Sequence, residues 1–136
     1  MNYIDTFIHV AADCPVTSGV VPTMRGKKKP EHLIQYELIS RNPYVHTQED
    51  VLWETHVMHK DLPANEVTPD QRQAFLSRPQ PCLRTSALPK KYGWGFHFDR
   101  EGKVALHAME SEEYRRFIEP GSGGPALLPA MRSKRA

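Results

Sequence analysis

The sequence predicts an α+β domain, in which a small antiparallel sheet with a C-terminal β-hairpin packs against two or three helices. Segments typical of strands and of helices are mixed along the chain, and no internal repeat is visible. Two alternating apolar segments near residues 94–108 predict the hairpin. The length of 136 residues and the apolar content of 39% suit one hydrophobic core rather than two.

The first strand and the first helix are predicted before residue 43. The segment DTFIHVAAD, residues 5–13, is rich in β-branched and aromatic side chains and stops before Pro15, as is typical of a strand. An irregular loop with a proline at each end follows. Residues 30–43, PEHLIQYELISRNP, carry apolar side chains near helical spacing, and Asn42 precedes a proline, which disfavours further helix.

The next segment is expected to contain one capped turn and a second strand. Thr47 is suited to cap a single turn. The segment VLWETHVMH, residues 51–59, alternates between apolar and polar side chains as strands do. On a strand His56 and His59 point to opposite faces, so we expect no metal site at this pair.

Two further helices are predicted from their capping residues. Thr68 is placed to cap the first, with Pro69 in the first helical position and Gln71 set for a capping box. Ser111 is placed to cap the short helix EEYRRF, in which acidic residues precede basic ones as a helix dipole favours.

The segments GWGFHFD and KVALHAM predict a hairpin whose turn contains Gly102. If Asp99 lies opposite Lys103, every large apolar side chain of the hairpin falls on one face. The same register makes His97 and His107 diagonal neighbours on the other face. Gly95 and Ala105 lie opposite the two histidines, and because their side chains are absent or small, they leave a low, flat surface, or floor, between the imidazoles.

The composition changes beyond residue 119. Residues 120–136 are rich in proline and glycine and carry three basic residues, Arg132, Lys134 and Arg135, without an acidic one. We therefore predict a single domain over residues 1–119 and a flexible, basic tail over residues 120–136.

Charge and apolar patterning argue against several classes of protein. Residues 1–119 hold 15 basic and 16 acidic side chains, so general nucleic-acid binding is not expected. No apolar run approaches the roughly 20 residues of a membrane span, and Asp5 interrupts the first apolar run, so no secretory signal is expected either. These features predict a cytoplasmic protein with reduced cysteines, and no motif indicates a metal or cofactor. The sequence leaves the oligomeric state open.

The candidate site combines the segment CLRTSALPKKY with the polar face of the hairpin. Arg84, Ser86 and Lys90 offer a guanidinium, a hydroxyl and an ammonium group to an anion. His97 and His107 flank a floor that suits a planar ligand or proton transfer near neutral pH. We therefore predict a binding module for a small anionic or planar ligand that uses these five residues.

Other readings of the same residues stay open. One is a small enzyme, with His97 or His107 as general acid or base and Cys82 or Ser86 as a nucleophile. Another is an interaction adaptor with an exposed apolar patch. A third is a solvated surface without a site. The basic run RGKKK, residues 25–29, either closes over an acidic ligand or is only solvated.

Several segments together resemble a known family, namely TFIHVAADCP, IQYELI with NPY, CLRTSALPKKYGWGFHFDREGKVAL and ESEEY. They are similar to segments of small, mostly bacterial proteins known only as a domain of unknown function, over most of residues 5–117. The pattern Leu-Arg-x-Ser-x-Leu-x-Lys-x-Tyr-Gly-Trp-Gly is the most specific part. The resemblance implies a stand-alone domain with a variable tail and assigns no catalytic residue. Ala87 stands where we expect proline in many relatives.

Overall fold

A computed structural model describes residues 2–24, 26–121 and 123–133 of the chain. Its strands are β1 (Thr6–His9), β2 (Trp94–Phe98), β3 (Val104–Ala108) and β4 (Ala126–Pro129). Its helices are α1 (Glu31–Arg41), α2 (Gln48–Lys60), α3 (Pro69–Ser77), α4 (Ala87–Lys91) and α5 (Glu112–Ile118). Short 3₁₀ turns occupy Ala64–Glu66 and Leu83–Thr85. The α+β class predicted from the sequence is confirmed.

The four strands form one sheet in the order β3-β2-β1-β4. Strand β2 pairs antiparallel with both β1 and β3, whereas β4 runs parallel to β1. The predicted hairpin register is confirmed, since Phe96 pairs with Leu106 and Phe98 with Val104. Gly102 closes the turn with a φ of 80°, a conformation that favours glycine.

Both faces of the sheet are covered. One face buries Ile8, Phe96 and Phe98 in a core shared with α1, α2 and α4. The other face carries Phe7, which packs against Tyr114 of α5. Because successive strand residues point to opposite faces, neighbours such as Phe7 and Ile8 belong to different cores.

Thr47, Thr68 and Ser111 are N-caps as predicted, although Thr47 caps the 13-residue α2 rather than a single turn, and at Thr68 the hydroxyl half of the predicted capping box is present. Thr47 and Asp50 form a capping box at the start of α2, in which each side chain bonds the other residue's backbone N–H. The Thr68 hydroxyl accepts from the backbone N–H of Gln71 at 3.1 Å. The Ser111 hydroxyl accepts from the backbone N–H of Tyr114 at 3.2 Å.

The strand predicted over residues 51–59 is wrong, because this segment is part of α2. Its alternation arises from a helix that packs on two sides. Val51 and Thr55, four residues apart, are buried on one side. Trp53 is buried on another side, against Phe75 of α3, with ring centroids 5.6 Å apart. Burial at 51, 53 and 55 therefore imitates the period of a strand.

The expectation of an unstructured tail needs correction for residues 126–129, which form β4 and extend the sheet beyond residue 119. The backbone N–H of Ala126 donates to Asp5 O, and that of Ala130 donates to His9 O. Leu128 packs against the main core. Proline is tolerated here because β4 is an edge strand. Two predicted basic residues of the tail, Lys134 and Arg135, lie outside the described residues.

Within the described residues, no helix is long and apolar enough to cross a membrane.

Candidate functional site

A cavity of about 420 Å³ lies between the helices and the segment that leads into α4. We call it the helix cavity, and its lining includes Gln35 of α1, Thr55, His56 and His59 of α2, Phe75 of α3, and Ser86. Leu52, Leu83 and Ala87 supply apolar wall.

Helix α2 provides several of the polar groups that line the helix cavity. Thr55, His56 and His59 all line it, because positions three and four apart lie on the same side of a helix. The mistaken strand assignment had separated the two histidines onto opposite faces. On the helix, both histidine side chains line the same cavity.

Two buried polar atoms at the helix cavity have no hydrogen-bond partner among the described residues: Thr55 Oγ1 and His59 Nδ1. Thr55 is only 4% exposed. The nearest carboxylate to His59 Nδ1 is that of Glu31, at 3.6 Å, which is beyond hydrogen-bond distance. Leaving such a group unsatisfied costs on the order of 1–3 kcal/mol, so a partner in the cavity is expected.

Ser86 lies at the helix cavity but is held in a structural arrangement. It is 8% exposed, and its hydroxyl donates to Gln35 Oε1 at 2.7 Å. The same oxygen accepts from the backbone N–H of Leu88 at 3.2 Å, as an N-cap of α4. An amide oxygen is not a base, so the contact with Gln35 does not activate Ser86 as a nucleophile.

Two stacked aromatic rings form one wall of the helix cavity. The His56 ring stacks on Phe75 with centroids 4.4 Å apart and planes 28° from parallel. Burial lowers the pKa of His56, and the positive charges of Lys60 and Arg78 lower it further. His56 therefore presents a neutral imidazole at neutral pH.

A second cavity, of about 730 Å³, adjoins the helix cavity. We call it the basic groove. Five cationic side chains line it, with two carboxylates, Glu37 and Asp61: the cations are Lys27, Lys28, Lys29, Arg41 and Lys60. His59 and Lys60 line both cavities. Three lysines of the predicted basic run thus border this space, whereas Arg25 lies outside the described residues.

Arg84 and Lys90 lie elsewhere. The Arg84 side chain donates through Nε to Pro129 O at 2.8 Å, and its backbone carbonyl accepts from the N–H of Met131. These bonds fasten Arg84 to β4. Lys90 is in the last turn of α4 and lines neither the helix cavity nor the basic groove.

His97 and His107 are neighbours on the opposite side of the sheet from the helix cavity, with ring centroids 6.2 Å apart. Tyr44 Oη lies 2.8 Å from His97 Nδ1 and 3.1 Å from His107 Nε2. We call these three residues the tyrosine–histidine cluster. A phenol has one proton, so it donates to one imidazole and accepts from the N–H of the other.

The chain's own rings fill the floor predicted for a planar ligand. A side chain at Gly95 would bring its Cβ within 2.6 Å of Phe7 Cζ and 2.9 Å of Tyr114 Cε2. Phe117 stacks on His97, with centroids 4.2 Å apart. The low floor therefore accommodates the second core rather than an open platform.

Burial sets the protonation of the tyrosine–histidine cluster. It lowers the pKa of His97, against the opposing charges of Asp99 and Asp5. It also lowers the pKa of His107, with a further contribution from His97. Burial, followed by the charge of Asp99, raises the pKa of Tyr44. All three groups of the cluster are therefore neutral at pH 7.

The backbone holds Tyr44 in a strained conformation. Its φ of 57° is rare for a bulky side chain. The Tyr44 N–H donates to Val104 O, and the Val104 N–H donates to His46 O, so this segment follows the outer edge of β3. Strain of this kind often occurs at functional sites.

A family model matches the whole chain, residues 1–136, and it describes a family of unknown function, DUF6157. The chain belongs to this family. No curated protein and no solved structure matches this DUF6157 chain. The family match includes β4 as well as the residues around both cavities.

The side chain of Cys82 in the DUF6157 chain forms a hydrogen bond with Tyr3. Burial and a hydrogen bond to Cys82 raise the pKa of Tyr3 to about 12. Both Cys82 and Cys14 are free thiols. Among the described residues, no group of three or more His, Cys, Asp and Glu side chains is arranged to hold a metal ion.

Sequence reasoning missed Gln35, Thr55 and His59. A helical reading of residues 48–60 would have placed Thr55 and His59 on one side of a helix. No comparable signal marks Gln35, because its role depends on Ser86, 51 residues later.

Proposed function

We propose that the protein is a binding module for a small anionic ligand and that the ligand occupies the helix cavity. The observation that carries the proposal is the pair of unsatisfied buried atoms, Thr55 Oγ1 and His59 Nδ1, at one cavity. A ligand with a polar group between them relieves the cost of burying both.

Size and wall chemistry support this proposal. The volume of about 420 Å³ falls within the range of roughly 300–1,000 Å³ that is usual for small-molecule sites. The walls combine apolar side chains such as Leu52 and Leu83 with a few polar groups, which is also typical of such sites.

The charge of the ligand follows from the groups at the mouth of the helix cavity. Lys60 contributes a cation there, and the buried Nδ1 of His59 is available to a polar group of the ligand. The Glu31 side chain is 64% exposed, so a ligand anion can replace its carboxylate beside His59. The stack of His56 on Phe75 offers a flat wall to a planar part of the ligand.

The proposal keeps the ligand class predicted from the sequence and moves the site. Of the five residues predicted to bind the ligand, Ser86 lines the helix cavity, and so does Cys82, the alternative nucleophile. Arg84, Lys90, His97 and His107 are outside it.

Native mass spectrometry of freshly purified protein tests the proposal, with Thr55→Val as the variant and the exposed Thr17→Val as its control. We expect an added mass on the wild type and on Thr17→Val and its loss from Thr55→Val, because valine keeps the shape of threonine and removes the hydroxyl. An added mass that survives Thr55→Val, or a wild type without any added mass, contradicts the proposal.

A second candidate function is acid–base catalysis at the tyrosine–histidine cluster. The specific observation is one exposed phenol shared by two neutral imidazoles, which suits proton transfer. This candidate uses His97 and His107 without Ser86, which is on the other side of the sheet.

NMR titration of the imidazole nitrogens tests this second candidate function. We expect both histidines to titrate below 6.5 and to shift together in Tyr44→Phe, whereas independent titrations would exclude a relay.

A further inference from the structure

The basic groove holds more positive charge than its own carboxylates neutralise. Glu37 is shared by Lys29, at 2.6 Å, and Arg41, at 3.3 Å. Within the described part of the chain, Lys27, Lys28 and Lys60 have no ion pair with a carboxylate. Three ammonium groups at one cavity, with one further carboxylate at Asp61, attract a multiply charged anion.

The basic groove and the helix cavity meet at the end of α2. His59 and Lys60 line both, so the two cavities share these side chains as part of their walls. The apolar side chains of Ile34, Leu38 and Met58 border the same groove.

We infer that the ligand of the helix cavity carries a phosphate group and that this group binds in the basic groove, at Lys27, Lys28 and Lys60. This inference rests on the function proposed above. A phosphate is the common group that matches several convergent ammonium donors, because it offers three acceptor oxygens and close to two negative charges at neutral pH. Nucleotides and sugar phosphates share this chemistry.

The charge distribution favours a small phosphorylated molecule over a nucleic acid. The whole chain has a formal charge of +2, and five cations are gathered at this one groove. A nucleic acid requires a basic stripe that follows its backbone, whereas the basic groove is a local cavity.

Binding of inorganic pyrophosphate, measured by calorimetry at low salt, tests the inference. The variant is Lys27→Gln with Lys28→Gln. The matched control, Lys91→Gln with Arg100→Gln, removes two exposed cations that do not border the groove. We expect the Kd to rise at least about tenfold in the variant and less than about twofold in the control, because only the variant loses direct contacts.

Equal affinity in the variant and the control, or no binding to the wild type, overturns the inference. Tighter binding of a single-stranded 12-nucleotide DNA than of pyrophosphate also overturns it, in favour of a nucleic-acid site.

Thr55→Val separates this inference from the proposed function, since it should leave pyrophosphate affinity unchanged. If Thr55→Val loses the native added mass while pyrophosphate fails to bind, only the phosphate inference is wrong. If pyrophosphate binds as expected but the added mass persists in Thr55→Val, the proposed function is wrong. The inference that one ligand occupies both cavities is then wrong as well.

Discussion

At the scale of single residues, side chains that were conspicuous in the sequence turned out to have structural partners. Arg84 bonds the carbonyl of Pro129, and Ser86 caps α4 while it bonds Gln35. One of the unsatisfied groups belongs to Thr55, an unremarkable residue in the sequence. Sequence shows which groups are reactive, but whether each has a partner depends on distant contacts.

Thr55→Val should therefore separate stability from binding. In protein freed of ligand, the change removes a buried hydroxyl without a partner, and we expect the free energy of unfolding to rise by about 1 kcal/mol. Urea denaturation measures this, with Thr17→Val as the exposed control near zero. A loss of stability of similar size would mean that the hydroxyl has a bound partner even in the emptied protein.

At the scale of elements, the hairpin could be predicted to the residue, whereas α2 could not. The hairpin register follows from local alternation and a turn that requires glycine at Gly102. Helix α2 buries Trp53 and Val51 on different sides, and this tertiary arrangement determines its pattern. Strand β4 was missed because its pairing with β1 depends on backbone bonds between distant segments, which leave little trace in composition.

Arg84→Ala tests the attachment of β4. We expect a loss of about 1 kcal/mol in the free energy of unfolding, because the Nε–H bond to Pro129 O disappears from a partly exposed site. Arg132→Ala, at an exposed position, serves as the control. Hydrogen exchange should quicken at the backbone N–H of Ala126 and Ala130 in the Arg84 variant alone. If exchange there is unchanged, Arg84 does not hold the strand.

At the scale of the whole molecule, the sheet separates two groups of candidate functional side chains. The helix cavity and the basic groove lie on the side of α1 and α2, and the tyrosine–histidine cluster lies on the side of α5. The sequence predicted the α+β class and the pairing of His97 with His107. It did not predict that the sheet divides them from Ser86, because that requires knowing which elements cover each face.

The free energy of unfolding should fall as the pH decreases from about 6.5, the ordinary pKa of histidine, towards the lowered pKa values of three histidines. Burial lowers the pKa of His97, His107 and His56 below the ordinary value of 6.5, so the unfolded chain binds more protons than the folded one in this window. Their contribution is complete above 6.5 and is lost as the pH falls through the lowered values. Asp99, Asp5 and Glu113 face the cluster and oppose the shift.

The double variant His97→Gln with His107→Gln isolates the part of this pH dependence that belongs to the cluster. We expect a flatter profile of the free energy of unfolding than in the wild type, measured by urea denaturation at each pH. An unchanged slope would assign the pH dependence to other groups, His56 among them.

The position of β1 in the sheet has a consequence for synthesis on the ribosome. Both of its neighbours arrive late: Thr6 pairs with Phe98, about 90 residues further on, and with Ala126, about 120 further on. During translation the first strand thus stays without partners until most of the chain has been made. Long-range pairing of this kind slows folding, and an apolar strand with both edges free is a binding site for chaperones and for other nascent chains.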